Sequence, residues 1–186
     1  MRADIDRWNA KYASPGEHAP SADAVLAEQC LSGPGVALDL ACGRGGNVGL
    51  LLRWGFEVVA VDGSIAGLRE ARRWHAESTA RWVCADLDQF VLPSEKFDLV
   101  VVTRYLNRGL VEAIRDCIKP EGWVFYRTFN RGHLRKATRF NPDYVLRPGE
   151  LQTWFHDFEI ASYVDDPDTA TQSHVLARRV VLAHRT

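Results

Sequence analysis

The stretch Val36-Ala37-Leu38-Asp39-Leu40-Ala41-Cys42-Gly43-Arg44-Gly45-Gly46-Asn47 runs an apolar segment straight into an acid and a glycine turn. Residues 36–40 have the short apolar character of a strand buried on both faces of a parallel sheet. Gly43, Gly45 and Gly46 allow a tight turn whose backbone can approach a ligand closely. Val48, Leu50, Leu51, Leu52 and Trp54 then supply a helical apolar stripe, and Gly55 stands where that helix should stop. A second strand follows as Glu57-Val58-Val59-Ala60-Val61 and ends in Asp62, 19 residues after Gly43. Strand, glycine loop, helix and strand in this order predict a nucleotide-type cofactor site at the carboxyl ends of parallel strands.

Two cofactor classes use such a unit, and the positions of glycines and acids separate them. A dinucleotide fingerprint beginning at Gly43 needs a glycine at position 48, where this chain has Val48. Asp39 is badly placed for a pyrophosphate and well placed for a cation. Leu38-Asp39-Leu40-Ala41-Cys42-Gly43-Arg44-Gly45 instead resembles the first motif of class I S-adenosylmethionine-dependent methyltransferases, an acid followed by G-x-G-x-G, with Ala41 in place of the first glycine. The resemblance continues in order over roughly residues 36 to 184. Ala80–Ala85 reads as a third strand ending in Asp86-Leu87, Lys96–Thr103 as a fourth carrying Phe97-Asp98-Leu99-Val100, and Lys119-Pro120-Glu121-Gly122-Trp123 as the turn before a fifth.

The resemblance implies the site residues. It places Asp62 on both ribose hydroxyls, which a two-oxygen carboxylate can accept together. It places Asp86 on the adenine amine, with a neighbouring backbone amide, that of Leu87, on a ring nitrogen. The donor site it implies comprises Asp39, Ala41, Cys42, Gly43, Gly45, Asn47, Asp62, Gly63, Ser64, Asp86, Leu87 and Thr103. Asp98 precedes its strand and is expected to be structural.

The element pattern predicts an α/β fold: a three-layer Rossmann-like sandwich with a seven-stranded, mostly parallel sheet and an antiparallel C-terminal hairpin. The hairpin strands are expected at Phe158–Val164 and His174–His184, joined by Asp165-Asp166-Pro167-Asp168. Ala22–Leu31 reads as a short helix begun by Ser21, Ser64–Glu77 as a helix capped by Ser64 with His75 on its exposed face, and residues 107–118 as a weaker helix. Residues 1–20 mix Trp8, Tyr12, Pro15, Gly16, His18 and Pro20, which suits an arm or loop that could act as a lid. Residues 21–186 then form a single S-adenosylmethionine-binding domain.

Composition fits that size of enzyme. The chain has 186 residues, a net charge of −1 and 46% hydrophobic residues, enough to bury a substantial core. No apolar run of about 18 residues is present. The polar start Met1-Arg2-Ala3-Asp4-Ile5-Asp6 does not read as a secretion signal, so a cytoplasmic protein without membrane attachment is expected. Cys30, Cys42, Cys84 and Cys117 lack C-x-x-C spacing and the six histidines show no ligand grouping, so no metal site is expected. Cys42 and Cys84 read as small buried hydrophobes.

The carboxyl ends of strands four and five carry Thr103-Arg104-Tyr105-Leu106-Asn107-Arg108 and the run Arg127–Arg139. Together these loops hold seven Arg or Lys residues and His133, while the near-neutral whole argues against an extended nucleic-acid footprint. Arginine presents a planar fork matched to oxyanions, so Arg104, Tyr105 and Arg108 are the candidate catalytic residues, acting on a small anionic or oxyanion-bearing acceptor. Arg135, Lys136 and Arg139 read as solvated charges. Arg139–Leu151, with Leu146-Arg147-Pro148-Gly149-Glu150-Leu151, resembles small bacterial tellurite-resistance-type methyltransferases. Pro148 and Glu150 also suit a helix start. Asn141-Pro142-Asp143-Tyr144 lacks the second proline of an amine-methyltransferase motif and follows the wrong strand. Monomer and homodimer are both open. The competing functions are a non-catalytic S-adenosylmethionine- or nucleotide-binding regulatory module, an N- or O-methyltransferase acting on a larger substrate, and an NAD-dependent oxidoreductase, the last disfavoured by Val48 and the hairpin.

Overall fold

The computed structural model of the protein describes residues 2–14 and 16–180, and the chain divides into two compact units, Met1–Val91 and Leu92–Thr186. The first unit contains α1 (Arg2–Tyr12), α2 (Ala24–Ala27), β1 (Gly35–Leu40), α3 (Val48–Arg53), β2 (Phe56–Asp62), α4 (Ile65–Trp74) and β3 (Arg81–Cys84). Its strands are parallel in the order β3-β2-β1, with Leu38 opposite Val59 and Asp62 opposite Cys84. Ala37, Leu38 and Leu40 of β1 and Val58, Ala60 and Val61 of β2 are buried, as continuous apolar strands of a parallel sheet should be. Val48, Leu50 and Leu51 of α3, and Leu68 and Ala71 of α4, add to the same core.

Ser64 caps α4 as expected, its hydroxyl accepting from the Gly67 amide. Two expectations change. The helix near residue 22 is only Ala24–Ala27, and its cap is Asp23 rather than Ser21, because the Asp23 carboxylate accepts from the Val25 and Leu26 amides. Residues 2–12 are a helix rather than an irregular arm. Ile5, Trp8 and Tyr12 recur at helical spacing, a stripe that the surrounding charges obscured in the sequence.

The second unit contains β4 (Phe97–Thr103), α5 (Val111–Cys117), β5 (Ile118–Phe129), α6 (Arg131–Lys136), α7 (Glu150–Trp154), β6 (Glu159–Val164) and β7 (Gln172–Arg178), with 3-10 turns at Arg108–Leu110 and Pro142–Tyr144. Here β4 and β5 are parallel, while β5–β7 and β7–β6 are antiparallel. The predicted hairpin is therefore present as β6 and β7, and residues 181–184 of its second predicted strand lie outside the described residues. The expected Pro-x-Gly turn falls inside β5 as a register shift: Ile118 lies opposite Phe97, Trp123 lies opposite Leu99, and Glu121 adopts a left-handed φ of 64°. Asp98 pairs with Lys119 at 2.8 Å, the structural role expected of it. α6 was not legible as a helix. It is six residues long and is capped by Asn130, which accepts from the Gly132 amide.

Candidate functional site

The glycine turn after β1 is held from below by β2. Cys42 N–H donates to the Val61 carbonyl at 3.0 Å and Gly43 N–H donates to Asp62 Oδ2 at 2.7 Å. The other oxygen of Asp62 accepts from the Ser64 amide at 2.7 Å. One carboxylate thus fixes the starts of both turns, and each oxygen keeps a lone pair for a further donor. Burial raises the Asp62 pKa from its ordinary value, opposed by these two amides. Gly43 needs its glycine twice over: its φ is +55°, and a Cβ there would lie 2.9 Å from Tyr12 Oη. Ala41 occupies a left-handed position at φ 59°, which is the physical reason a glycine suits that place in the motif.

Asp39, on β1, is 1% exposed. Its Oδ1 accepts from Asn47 Nδ2 at 3.4 Å, and its Oδ2 has no hydrogen-bond partner among the described residues. Burial pushes its carboxyl up to about 7, with the Asn47 hydrogen bond opposing and the Asp62 charge adding to the rise. A buried carboxyl with one open oxygen either holds a proton or pairs with a cation. The same surroundings, burial first, hold the Cys42 thiol well above its ordinary range, so Cys42 is the buried small residue expected of it. Cys84 departs from its expectation: it is exposed. Asp86 accepts from the Asp88 amide at 3.0 Å and so begins a turn, with Leu87 buried behind it. Gly63 follows Asp62 directly, and a Cβ on it would lie 3.0 Å from Ile5 Cγ1.

Helix α1 lies on this turn system. Asn9 Oδ1 accepts from Ser64 Oγ at 2.8 Å and from the Ala66 amide at 3.1 Å, a second cap for α4 contributed from outside that helix. The ring of Tyr12 fills the space at Gly67, where a Cβ would lie 2.9 Å from Tyr12 Cδ2, and the Arg44 guanidinium stands 5.1 Å from the centre of the same ring. The chain beyond α1 is tied as well: Arg44 donates to the Ser14 carbonyl at 2.7 Å and Gly16 N–H to Glu70 Oε1 at 2.9 Å.

His75 departs from its predicted exposed position. Its Nε2 is 2.9 Å from the Gly45 carbonyl and its ring packs on Trp82. The signal was present in the spacing, since Leu68, Ala71 and His75 share one helical face. Asn9 carried no comparable signal, because its partners are backbone amides and a hydroxyl brought to it by tertiary packing.

In the second unit, Thr103 ends β4 opposite Arg127. Arg104 follows with a left-handed φ of 57° and its amide bonded to the Arg127 carbonyl at 2.8 Å, which turns an exposed side chain outward at the strand's carboxyl end. Strain of this kind in a non-glycine residue concentrates at ligand-binding positions. Tyr105 is half-buried, and its hydroxyl accepts from Asn107 at 3.3 Å. Arg108 is differently engaged. It meets Glu150 through Nε at 2.6 Å and Nη2 at 3.0 Å, and donates to the carbonyls of Asp143 at 2.8 Å and Val145 at 3.0 Å. Its fork thereby fastens the segment that leads into α7, and the Glu150 hydrogen bond is the largest cause holding its pKa above the ordinary value. Arg135 is exposed, as expected of a solvated charge, and is also bonded to the carbonyls of Pro167 and Asp168. Asn141 caps a 3-10 turn by accepting from Asp143 at 2.9 Å, and so its amide serves the turn rather than a substrate.

Among the described residues no group of three His, Cys, Asp or Glu side chains could hold a metal ion, and no helix is long and apolar enough to cross a membrane.

Residues 37–122 match the family model described as a methyltransferase domain. A S-adenosylmethionine-dependent methyltransferase from Aquifex aeolicus superposes with a TM-score of 0.67 at 15% identity, covering 97% of this chain and 99% of that one. One from Mesorhizobium loti gives 0.68 at 18% identity, covering 83% and 95%. Geranyl diphosphate C-methyltransferase from Streptomyces coelicolor, in complex with Mg2+, geranyl diphosphate and S-adenosyl-L-homocysteine, gives 0.64 at 15% identity, covering 81% and 73%. The fold is therefore the Rossmann-like methyltransferase fold, seven-stranded and mostly parallel with antiparallel C-terminal strands. The matched domain and the fold together support a S-adenosylmethionine-dependent methyltransferase with S-adenosylmethionine as its cofactor. No curated protein sequence matches the chain.

Proposed function

We propose that this protein transfers the methyl group of S-adenosylmethionine to a small acceptor that carries an oxyanion. The observation that carries the donor half is the unpartnered, buried Oδ2 of Asp39 beside the glycine turn. That oxygen fits the donor's ammonium, Asp62 its ribose hydroxyls, and the Asp86–Leu87 turn its adenine. The backbone of residues 41–45 and Gly63-Ser64 lines the same turns, and Thr103 stands at the carboxyl end of β4. When bound, the cofactor supplies a methyl group on a sulfonium, so the protein needs to orient an acceptor and exclude water rather than generate a nucleophile.

The acceptor reading rests on Arg104 and Tyr105. An outward-turned guanidinium at the end of β4 suits a carboxylate, a tellurite-like oxyanion or a phosphate, in keeping with the tellurite-resistance resemblance of residues 139–151. The Streptomyces coelicolor relative, named for an acceptor that bears a diphosphate, lends support from a second direction. Arg108 serves in this reading as the clamp of the 143–150 segment and not as an acceptor ligand. The protein acts in the cytoplasm on a small molecule, as monomer or homodimer.

Calorimetry with S-adenosylmethionine, S-adenosylhomocysteine and NAD, followed by a methylation panel of tellurite, selenite, carboxylates, thiols and amines, tests the whole. Donor binding with turnover on an oxyanion is expected. Preference for NAD, or turnover confined to amines, would remove the proposal. Arg104→Ala should raise the acceptor KM about tenfold with donor affinity unchanged, the worth of one charge-assisted hydrogen bond. Helix α1 is expected to exclude water from the donor site, and removal of residues 1–18 should lower turnover about tenfold. Full activity in the truncated protein would free α1 of that role.

A further inference from the structure

Asn47 stands at the N-cap position of α3, yet its side chain makes no capping bond. An asparagine there ordinarily turns its oxygen onto the first amides of the helix. Here the side chain is diverted sideways. Its Oδ1 accepts from the Asp23 backbone amide at 3.0 Å, and its Nδ2 donates to Asp39 Oδ1 at 3.4 Å. The amide's orientation is fixed by chemistry, since a backbone N–H can only donate and therefore selects the oxygen end of Asn47. Asp23 is in turn anchored as the cap of α2. All three residues are buried, at 3%, 1% and 5% exposure for Asp23, Asp39 and Asn47.

We infer that Asn47 is a positioning residue: braced by the Asp23 amide, it turns Asp39 so that one carboxylate oxygen stays open to the donor's cation. The inference rests on the donor site proposed above, and it moves Asn47 from the residues that touch the cofactor to those that act through another. Asp62 from β2 opposes the ionisation of Asp39, the buried Cys42 thiol of the turn stays neutral, and Asn47 from α3 supplies the hydrogen bond that favours the charged form. The brace is therefore what makes a buried acid usable at neutral pH.

A consequence is measurable in two ways. Donor affinity in the wild-type protein should fall about tenfold per pH unit on acidification below about 7, as Asp39 takes up its proton. In the protein without donor, the raised carboxyl means that the folded state holds more protons than the unfolded one between the ordinary value of 3.8 and about 7. Stability then declines as pH rises through that window.

Asn47→Asp retains an acceptor for the Asp23 amide but replaces the donor to Asp39 with a second carboxyl, whereas Asn47→Leu removes both bonds and adds no charge. Each is expected to move the midpoint of the acid limb upward by about one pH unit, in calorimetry with S-adenosylhomocysteine and in the pH dependence of melting without it. Asp39→Asn should abolish the limb in both. Midpoints that stay at the wild-type pH in a folded Asn47 variant would overturn the inference. Should the wild-type protein bind no donor at any pH, the donor site falls while the melting series still decides the role of Asn47. Should Asn47→Asp fail to fold, Asn47→Leu and the wild-type against Asp39→Asn comparison decide it.

Discussion

Asp62→Ala is expected to weaken S-adenosylmethionine binding by about 3 to 5 kcal/mol, a few hundred- to a few thousand-fold, because it removes two kinds of bond together. In the proposed donor site the carboxylate would accept from the ribose hydroxyls, and it already accepts from the amides of Gly43 and Ser64 at 2.7 Å each. Its loss releases the glycine turn and the start of α4 at once, so the turns that should receive the donor lose their shape before the donor arrives. Asp62→Asn keeps the volume but offers one acceptor oxygen where two amides need one each, and should lie between alanine and wild type. Calorimetry on folded variants reads the effect. A loss of less than about threefold in Asp62→Ala would detach this acid from the donor.

Arg108→Ala is expected to act on stability. Glu150 keeps only a tenth of its side-chain surface exposed, and deletion of its partner leaves that carboxylate with the Arg147 amide alone and takes from the carbonyls of Asp143 and Val145 the Arg108 donor. Breaking a buried pair costs about 3 to 5 kcal/mol. Arg108 is itself about a third exposed, so solvent screening reduces the expected cost to about 2 to 3 kcal/mol, or roughly 5 to 10 °C in melting temperature. Arg108→Lys should recover little, since an ammonium cannot reproduce the fork. Unchanged melting with lost acceptor affinity would instead restore Arg108 to the acceptor-binding role that its position after strand four suggests in the sequence.

The strand–turn–helix frame of the proposed donor site is largely legible because its determinants are local. Asp39, the glycine turn and Asp62 are fixed by the strand–turn–helix pattern in which they stand, and the Ser64 cap follows from its place before an amphipathic stretch. What escaped the sequence lies in contacts between distant segments. Asn47 reads as a turn residue next to the ligand, and only the Asp23 amide, 24 residues away, reveals where its side chain goes. Helix α1 reads as an arm because its stripe is short and interleaved with charges, and its seat on Gly43 and Gly67 comes from packing alone. Arg108 and Glu150, 42 residues apart, suggest in the sequence an acceptor ligand and a helix-start residue, and their spacing carries no sign that each engages the other.

The Arg108 clamp bears on how this protein could change its acceptor. Two of its four bonds go to Glu150 and two to main-chain carbonyls, at Asp143 and Val145. A carbonyl is present whatever residue occupies the position, so the path of the 143–150 segment is set without dictating the side chains along it. Natural drift or laboratory selection can therefore explore new chemistry at positions 143, 144 and 147 on an unchanged frame. Randomised libraries there should retain folded protein far more often than libraries that include position 108 or 150.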